Sequence, residues 1–382
     1  KMGKFDWKAT IKLNILGLKL IGLWPESDEG YKMEYYTLFA VTFNIIVFSS
    51  HVLFQTMTVF MTNSNINALV EGLYLSLEEI LALLKFYTLV KNMKMLKQLF
   101  IVLNDDEFQP KNFKQVILVQ QGQKTWKIIY NTFVSAAILA ISTYALFPIV
   151  NGSYKEYKLP FRIWYPFNIK RSPVYQIIYI HQIMGIYAAG SVTLNVDMLL
   201  SALLMYTGAQ CDLLCDDLKN LSHVTTGEYE KKLIDAVKHY KKILREKCNK
   251  FVNFILLVQF FTSTASAALA MFQLALCGTS DAEFYSAILA FFGIIEQTFN
   301  YCWFGNEVEI KSSQIPHSVY ESNWIEESLE AKKCLMILVT RSMRPIKISS
   351  FNLFYLSVDT FMKILKSAWS YFTVLRQLNA TE

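Results

Sequence analysis

The sequence predicts an all-α membrane protein with seven transmembrane helices, a cytosolic N-terminus, an extracellular C-terminus and a cytosolic helical anchor bundle. Its 382 residues are 53% hydrophobic and 18% charged, whereas an ordinary soluble domain carries about 25% charged residues. The charges that remain lie between long apolar segments, and Lys and Arg are concentrated on alternate connections. These observations argue against a soluble globular fold.

Three apolar segments contain no Asp, Glu, Lys or Arg, and each exceeds the roughly 20 residues with which a helix crosses a bilayer. They are residues 36–61, 128–150 and 251–278. Four further segments contain only one to four charged residues each, and they are 66–86, 174–209, 284–305 and 348–375. The chain therefore has seven predicted spans, of which the second is the least secure on hydropathy.

The distribution of Lys and Arg predicts the orientation of these spans, because cytosolic connections of membrane proteins carry the excess of positive charge. One set of connections holds 28 Lys and Arg residues and the other set holds six, so the N-terminus is predicted to be cytosolic. The glycosylation sequon at Asn151 then falls outside the cell. A G-protein-coupled receptor has the opposite orientation, so that class is disfavoured.

The predicted organisation follows from the spans and their orientation. It comprises an N-terminal cytosolic or interfacial segment (1–35), spans one to four (36–209), a cytosolic helical loop (210–250), spans five and six (251–305), a cytosolic anchor segment (306–347), span seven (348–376) and an extracellular tail (377–382). Within the first segment, residues 11–24 are apolar but short and contain two lysines, which is typical of an amphipathic helix in the membrane interface.

The two long cytosolic segments carry apolar stripes at helical spacing, so they need packing partners. One stripe is Leu233, Val237, Tyr240 and Leu244, and the other combines Leu335, Met336 and Leu338. Packing within the chain and an oligomerisation bundle both explain them, and the sequence leaves the choice open. Cys211 and Cys215 could share a helix face, but with one histidine nearby a metal site is disfavoured and no cofactor is expected.

The last span has two unlike faces. Ser370, Thr373 and Gln377 fall on one side at 100° per residue, and Lys363 and Lys366 extend the same stripe. The opposite side carries Leu365, Ala368, Phe372 and Leu375. Such a polar stripe either lines a pore or joins neighbouring helices through small polar side chains.

Several charged side chains fall within the predicted spans, where such groups are functional candidates. Glu71, Asp197 and Glu296 lie in spans two, four and six. Asp359 and Lys363 are four residues apart, so they can pair along one helix. Structural pairing is favoured over an ion or proton path.

Four short motifs occur in order along the chain, and together they resemble the insect odorant receptors over nearly its whole length. They are Gly22-Leu23-Trp24-Pro25; the loop Leu159-Pro160-Phe161, Trp164-Tyr165-Pro166-Phe167, Pro173-Val174-Tyr175 and Gln182; Tyr301-Cys302-Trp303-Phe304-Gly305-Asn306-Glu307; and Tyr371-Phe372-Thr373-Val374-Leu375-Arg376-Gln377-Leu378. The related gustatory receptors end in T-Y-x5-Q-F, from which this chain departs at Ser370 and Leu378.

The resemblance implies a subunit of an odour-gated, non-selective cation channel in the plasma membrane of olfactory sensory neurons. Such channels are tetramers around one pore, and most members work only with a shared co-receptor, so the implied partner is a co-receptor in a heterotetramer. The co-receptor has a much longer loop between spans four and five than the roughly 40 residues present here, so this chain resembles a ligand-recognising tuning subunit. The pore and gate would be formed by Ser370, Thr373, Val374, Gln377 and Leu378.

The resemblance also implies a closed, aromatic-lined pocket for a small apolar volatile in the outer half of the membrane, among spans two, three, four and six. The residues at helical spacing there are Val70, Leu73, Tyr74, Thr143, Tyr144, Phe147, Tyr179, Ile183, Ile186, Tyr187, Ile288, Phe291, Phe292 and Ile295. Aromatic or terpenoid-like odorants suit this lining. For each of these residues ordinary helix packing is an equal alternative.

Other classes remain as alternatives to this hypothesis. A gustatory-type receptor channel is the nearest, and Ser370 and Leu378 weigh against it. A transporter would show internal repeats or paired broken helices, and no convincing repeat is present. No catalytic constellation stands out around the five histidines, so an enzyme is not expected, and the expected contacts are with membrane lipid rather than nucleic acid.

Overall fold

The computed structural model of the chain describes residues 4–27, 30–32, 34–61, 66–223, 226–245, 248–277, 282–351 and 353–380. The described helices are α1 (Lys12–Leu20), α2 (Tyr35–Phe43), α3 (Ser50–Met61), α4 (Ile66–Val102), α5 (Phe113–Val150), α6 (Val174–Lys219), α7 (Thr226–Arg245), α8 (Cys248–Leu276), α9 (Ala282–Ser313), α10 (Ile315–Tyr320), α11 (Leu329–Ser342) and α12 (Val358–Ala380). A π-helical turn, Asn44–Ser49, joins α2 to α3, and the two short strands are β1 (Ser349–Ser350) and β2 (Phe354–Tyr355).

Each of the seven predicted spans corresponds to a described helix, with α2 and α3 together forming the first. Four of these helices are long and apolar enough to cross a membrane by composition alone, namely the α2–α3 unit, α5, α6 and α8. The other three, α4, α9 and α12, are the spans whose sequences carry charges. The prediction of an all-helical multi-pass membrane fold is confirmed.

Helix α6 forms the centre of the bundle. Its 46 residues correspond to a length of about 69 Å, more than twice the roughly 30 Å hydrocarbon core. The most apolar stretch of α6 is 83% buried, whereas the corresponding stretch of α5 is 18% buried. Helices α1, α4, α5 and α9 all pack against α6, and α8 packs against α4, α9 and α12. Because so little of its apolar stretch is buried, helix α5 lies at the periphery of the bundle.

The N-terminal segment packs directly against α6, whereas a helix that lies only in the membrane interface needs no such contacts. Asn14 Nδ2 donates a hydrogen bond of 2.9 Å to the Asn195 carbonyl oxygen, and Trp7 is fully buried. The opposite side of α1 exposes Leu13, Leu16 and Leu20. The predicted amphipathic character is confirmed, but one face packs against protein.

The Gly-x-Trp-Pro motif forms the turn that follows α1. Gly22 adopts a left-handed conformation with φ = 78°, and a side chain there would lie 2.7 Å from Ala40. Both reasons favour glycine. The turn leads Trp24 into a buried position beside Phe100, with ring centroids 6.1 Å apart.

A second apolar core, which we call the anchor cluster, lies at the end of the bundle where α7, α10 and α11 meet the last turns of α6. Its buried members include Cys211, Leu214, Leu218, Tyr229, Leu233, Tyr240, Val319, Leu335 and Leu338. The two apolar stripes thus pack within the chain. Met336 is 70% exposed, because it lies about 100° around the helix from Leu335, so its assignment to the stripe was wrong. The Leu244 side chain lies outside the described residues.

The expected start of span seven at residue 348 is wrong. Residues 349–355 form a small antiparallel hairpin in which Ser349 pairs with Tyr355 and Ser350 with Phe354. Ser350 Oγ donates a 2.7 Å hydrogen bond to the Asn253 carbonyl oxygen, which holds the hairpin against α8. The final helix begins at Val358 and continues to Ala380, so it extends through residues that were expected to form a tail.

Candidate functional site

The start of α12 is defined by Ser357, whose Oγ accepts a hydrogen bond from the Thr360 backbone N–H. This is the N-cap arrangement that satisfies an otherwise unpaired amide. In the first turn of α12, the Asp359 carboxylate lies 2.6 Å from Lys363 Nζ, as the four-residue spacing predicted. Both side chains are exposed, so the pair contributes little to stability.

Beyond this turn the two faces of α12 differ as the sequence predicted. Lys363, Lys366, Ser370 and Gln377 are exposed and Thr373 is half-buried, while Ala368 and Phe372 are buried and Leu365 and Leu375 are half-buried. Val374 and Leu378 are also exposed on this side. The single chain thus presents a polar stripe bordered by two apolar side chains, flanked by an apolar face that packs inward.

Two small clusters hold the apolar face of α12 against the rest of the bundle. In one, Phe372 packs with Val70 of α4 and Phe272 of α8. In the other, Ala368 packs with Ala267 of α8 and Ile294 of α9, and Phe291 lies against the same group. Val70 and Phe291 are both predicted pocket residues, so the predicted pocket wall directly contacts clusters that contain α12.

The predicted pocket residues on α5 and α6 are joined by tyrosine hydroxyls. Tyr179 donates a 2.6 Å hydrogen bond to the Ala145 carbonyl oxygen, and the Tyr187 hydroxyl lies 2.7 Å from Ser142 Oγ. Neither Ser142 nor Ala145 was among the candidates, because small polar and small apolar residues carry little signal in an apolar helix. Ile183 and Ile186 on the same stretch of α6 are half-buried.

The predicted pocket residues on α4 and α9 also meet. The Tyr74 hydroxyl hydrogen-bonds with Ser286, and both side chains are buried. Leu73, Ile288, Phe291 and Ile295 are half-buried.

Not every candidate is enclosed in the single chain. Phe147 and Phe292 are 48% and 63% exposed, and Thr143 is exposed and bonds the Leu139 carbonyl oxygen of its own helix. The Tyr144 side chain lies outside the described residues. The structure therefore brings the α5–α6 and α4–α9 members together as pairs, each fixed by a hydroxyl.

The loop between α5 and α6 folds back over the adjacent ends of α3 and α6. The Gln182 side chain accepts a hydrogen bond of 3.1 Å from the Phe161 N–H and donates one of 3.2 Å to the Phe161 carbonyl oxygen. The Trp164 N–H donates to Thr58 Oγ1 at 2.8 Å, and Tyr165 packs on Phe54 with centroids 4.9 Å apart. These contacts give the residues of the loop motif a structural role. The Gln182 side chain, for example, satisfies both the backbone N–H and the backbone carbonyl of Phe161.

A buried polar network crosses the middle of the bundle. Asp197 on α6 forms an ion pair of 2.7 Å with Lys85 of α4 and accepts hydrogen bonds of 2.5 Å from Tyr301 and Gln297 of α9. Gln259 of α8 extends the network, because its amide donates to Gln297 at 2.9 Å. The expectation of structural pairing for Asp197 is confirmed, and Tyr301 of the third motif proves to be one of its partners.

A second polar group, which sequence reasoning missed, lies nearer the α5–α6 loop. His51 Nε2 is 3.2 Å from Glu79 Oε1, and both side chains are buried. The imidazole lies directly over Gly185 of α6, where the Cβ atom of any other residue would collide with the ring. His181 is half-buried, with Nε2 2.8 Å from Ser50 Oγ, so it packs against α3 beneath the loop.

The anchor cluster also contains a buried histidine. His239 is almost fully buried and its Nε2 lies 3.0 Å from Gln210 Oε1, and burial lowers the pKa of the imidazole to about 4. On the far side of α6, Asp216 forms an ion pair with Lys114 at 2.8 Å and accepts a hydrogen bond from Gln115 at 3.0 Å. These contacts tie the start of α5 to the last turns of α6.

Comparison with known proteins gives one consistent picture. The family described as 7tm Odorant receptor matches residues 65–369. Among curated proteins, odorant receptor Or1 of Anopheles gambiae is 22% identical, with 98% of this chain and 97% of that protein covered. Odorant receptor 46a, isoform A, of Drosophila melanogaster is 20% identical, with 95% and 96% covered.

Among solved structures, the insect olfactory receptor OR5 from Machilis hrabei in complex with eugenol superposes with a TM-score of 0.84. That alignment covers 98% of this chain and 100% of the other at 17% sequence identity. A second structure of the same receptor also gives a TM-score of 0.84. At this identity the likeness establishes the fold, a seven-transmembrane bundle.

Proposed function

This chain belongs to the 7tm odorant receptor family, and on that basis we propose that it is the ligand-recognising subunit of an odour-gated, non-selective cation channel. The observation that carries the proposal is the two-sided α12, with Ser370 and Gln377 exposed and Ala368 and Phe372 buried. The outer part of the stripe, formed by Ser370, Thr373 and Gln377, is neutral, which suits weak cation selectivity, since strong selectivity in channels uses rings of charged or carbonyl groups.

The gate in this proposal is formed by Val374 and Leu378, with Gln377 between them. Repeated around a symmetry axis, exposed apolar side chains form a ring that closes a narrow pore by dewetting. Ser370 and Thr373 lie one turn deeper on the same stripe, where their hydroxyls line the path of a hydrated cation. Small displacements of α12 would then open or close the pore.

The ligand site in this proposal is the predicted pocket among α4, α5, α6 and α9. Its polar groups are few, and the Tyr74, Tyr179, Tyr187 and Thr143 hydroxyls each bond protein, while most of the other proposed lining is aliphatic or aromatic. Pockets of this kind favour small apolar molecules with at most a few polar groups. Aromatic odorants such as the eugenol named for the Machilis hrabei structure, or terpenoids, are the class to test first.

The link between pocket and gate in this proposal is direct packing. Phe291 lies against the cluster that contains Ala368, and Val70 lies in the cluster that contains Phe372. Close-packed interfaces transmit displacements because they leave few voids. A ligand that moves α4 or α9 would therefore shift α12.

The proposed partner is an odorant receptor co-receptor in a heterotetramer in the plasma membrane of olfactory sensory neurons. The short connection between α6 and α8 supports the assignment as a tuning subunit. Asn151 at the end of α5 is exposed, which supports its use as a glycosylation site in the extracellular loop.

The test is whole-cell current under a panel of volatile odorants, with this chain expressed alone and with an insect co-receptor. We expect current only with the co-receptor, and we expect its reversal potential to shift when external sodium is replaced by N-methyl-D-glucamine. Absence of current despite confirmed surface expression would contradict the channel assignment for that odorant panel, and saturable odorant uptake without current would favour a transporter.

A further inference from the structure

The N-terminal segment and α4 together line an open cavity whose lining is basic and aromatic. The cavity has a volume of about 320 Å³ and is lined by Lys8, Lys19, Trp24, Pro25, Glu26, Lys97 and Phe100. Three lysines and one glutamate give this lining an excess of positive charge. Its size is at the lower end of the range for small-molecule sites.

One wall of the cavity is fixed by Lys97 of α4. This side chain is 5% exposed, and its Nζ donates hydrogen bonds to the carbonyl oxygens of Pro25 and Ser27. The same Nζ lies 5.8 Å from the centre of the Trp24 ring, within the range of a cation–π contact. The positive charge is therefore held in place before any ligand arrives.

The opposite side of the cavity is formed by exposed charged side chains. Lys19 forms an ion pair of 3.2 Å with Glu26, with 39% and 79% of the two side chains exposed, and Lys8 is exposed. Exposed ion pairs of this kind contribute little to stability, so an anion can displace Glu26 from Lys19 at little cost.

The exposed side of α1 indicates where this cavity lies relative to the bilayer. Leu13, Leu16 and Leu20 form an exposed apolar stripe, and Lys12 and Lys19 lie next to it around the helix. A leucine stripe bordered by lysines is typical of a helix at the boundary between acyl chains and headgroups. Lys19 of this helix also lines the cavity, so a helix placed in this way would bring the cavity to headgroup level.

We propose that this cavity binds the phosphorylated headgroup of an anionic membrane lipid. Lys8 and Lys19 contact the phosphates, Lys97 supplies a fixed positive charge, and Trp24 and Phe100 form the aromatic floor. The proposal rests on the predicted cytosolic N-terminus, because anionic lipids are enriched in the cytoplasmic leaflet. It is independent of odour gating, so each can fail without the other.

The test uses purified full-length protein and native mass spectrometry with dioctanoyl phosphatidylinositol 4,5-bisphosphate, with dioctanoyl phosphatidylcholine as the neutral lipid and inositol 1,4,5-trisphosphate as the free headgroup. We expect the anionic lipid to bind and the other two to bind much more weakly. The Lys8→Gln/Lys19→Gln variant should weaken this binding about 30-fold, since each lysine at a membrane surface contributes about 1 kcal/mol.

The matched control is Lys231→Gln/Lys241→Gln, which removes two exposed lysines of α7 far from the cavity in the sequence and should leave lipid binding unchanged. Glu26→Gln should strengthen binding, because it removes the competing carboxylate, and it guards against a loss caused by misfolding. Equal binding of the lipid and the free headgroup would overturn the lipid assignment. Equal loss in the α7 control, or binding unaffected by Lys8→Gln/Lys19→Gln, would overturn the site.

Discussion

Lys85 Nζ and Asp197 Oδ1 lie 2.7 Å apart, and the two side chains are 0% and 2% exposed. They belong to α4 and α6, which are distant in the sequence, and the aspartate is also bonded to Tyr301 and Gln297 of α9. Three helices therefore converge on one carboxylate in the interior of the bundle. This arrangement ties the three helices to one another in the interior of the bundle.

Removing one partner of this ion pair should be severely destabilising. Lys85→Met leaves a buried carboxylate without its counter-charge, which typically costs about 3–5 kcal/mol. We expect a sharp fall in surface expression and in the melting temperature of the purified protein. Lys85→Met/Asp197→Asn should recover much of the loss, and Lys363→Met, at the exposed pair on α12, should change little. A double variant no better than the single would show that the pair is not the cause.

Two adjacent phenylalanines on α9 provide a matched test of coupling between pocket and pore. Phe291 packs against the cluster that contains Ala368, whereas Phe292 is 63% exposed. Phe291→Ala should raise the half-maximal odorant concentration and reduce the maximal current, since it removes part of the packing against this cluster. A fully buried Phe→Ala change costs about 3–5 kcal/mol, and the change at the half-buried Phe291 should cost less. Phe292→Ala should have a much smaller effect in the same recordings. Equal effects would argue against transmission through this cluster.

The proposed gate predicts the behaviour of Val374 variants. Val374→Ser places a hydroxyl in the apolar ring and lowers the cost of wetting a closed pore. Standing current without odorant should therefore rise several-fold, while Val374→Leu should keep the channel closed at rest. Trp369 is also exposed but lies about 140° around the helix from Val374, so Trp369→Phe serves as the control. A silent Val374→Ser variant would exclude this residue from the gate.

The proposed orientation can be tested through glycosylation. Asn151 and Asn220 both begin sequons and both side chains are exposed, but they lie at opposite ends of the bundle. Asn151→Gln should reduce a glycosidase-sensitive shift on an electrophoresis gel, and Asn220→Gln should leave it unchanged. The reverse result would place the N-terminus outside the cell.

The anchor cluster should lose stability in mild acid because of His239. Its pKa is lowered by burial from about 6.5 in the unfolded chain to about 4 in the folded protein, so the folded state resists protonation. The corresponding stability is complete above pH 6.5 and is lost as the pH falls from 6.5 towards 4. The melting temperature of His239→Gln should depend less on pH over this window than that of the parent protein. Parallel pH profiles would assign the acid sensitivity to other groups.

Helical periodicity predicted some features of the structure well. The two faces of α12 followed from spacing alone, because Ser370 and Gln377 recur at the interval of one helix face while Ala368 and Phe372 occupy another. The Asp359–Lys363 pair followed from the same geometry. Both are properties of a single helix, so no tertiary information was needed.

Other features depend on tertiary contacts that periodicity does not encode. Lys85 falls within predicted span two and Asp197 within predicted span four, but no local pattern joins them. Strands β1 and β2 have two residues each, too few for an alternation, so the apolar stretch before α12 was assigned to the helix. The anchor stripes showed that Leu233 and Leu335 need partners, but not that these partners belong to the same chain.

The peripheral position of α5 has a consequence for how such a receptor can change over generations. Little of the apolar stretch of this helix is buried in the bundle, and the described hydroxyl bonds that join it to α6 include those of Tyr130, Tyr179 and Tyr187. Substitutions along its outward surface disturb few interior contacts, whereas substitutions in α6 disturb many. Variation can therefore accumulate on one helix beside the proposed pocket while the central helix remains constrained, which separates diversification of odour preference from maintenance of the fold.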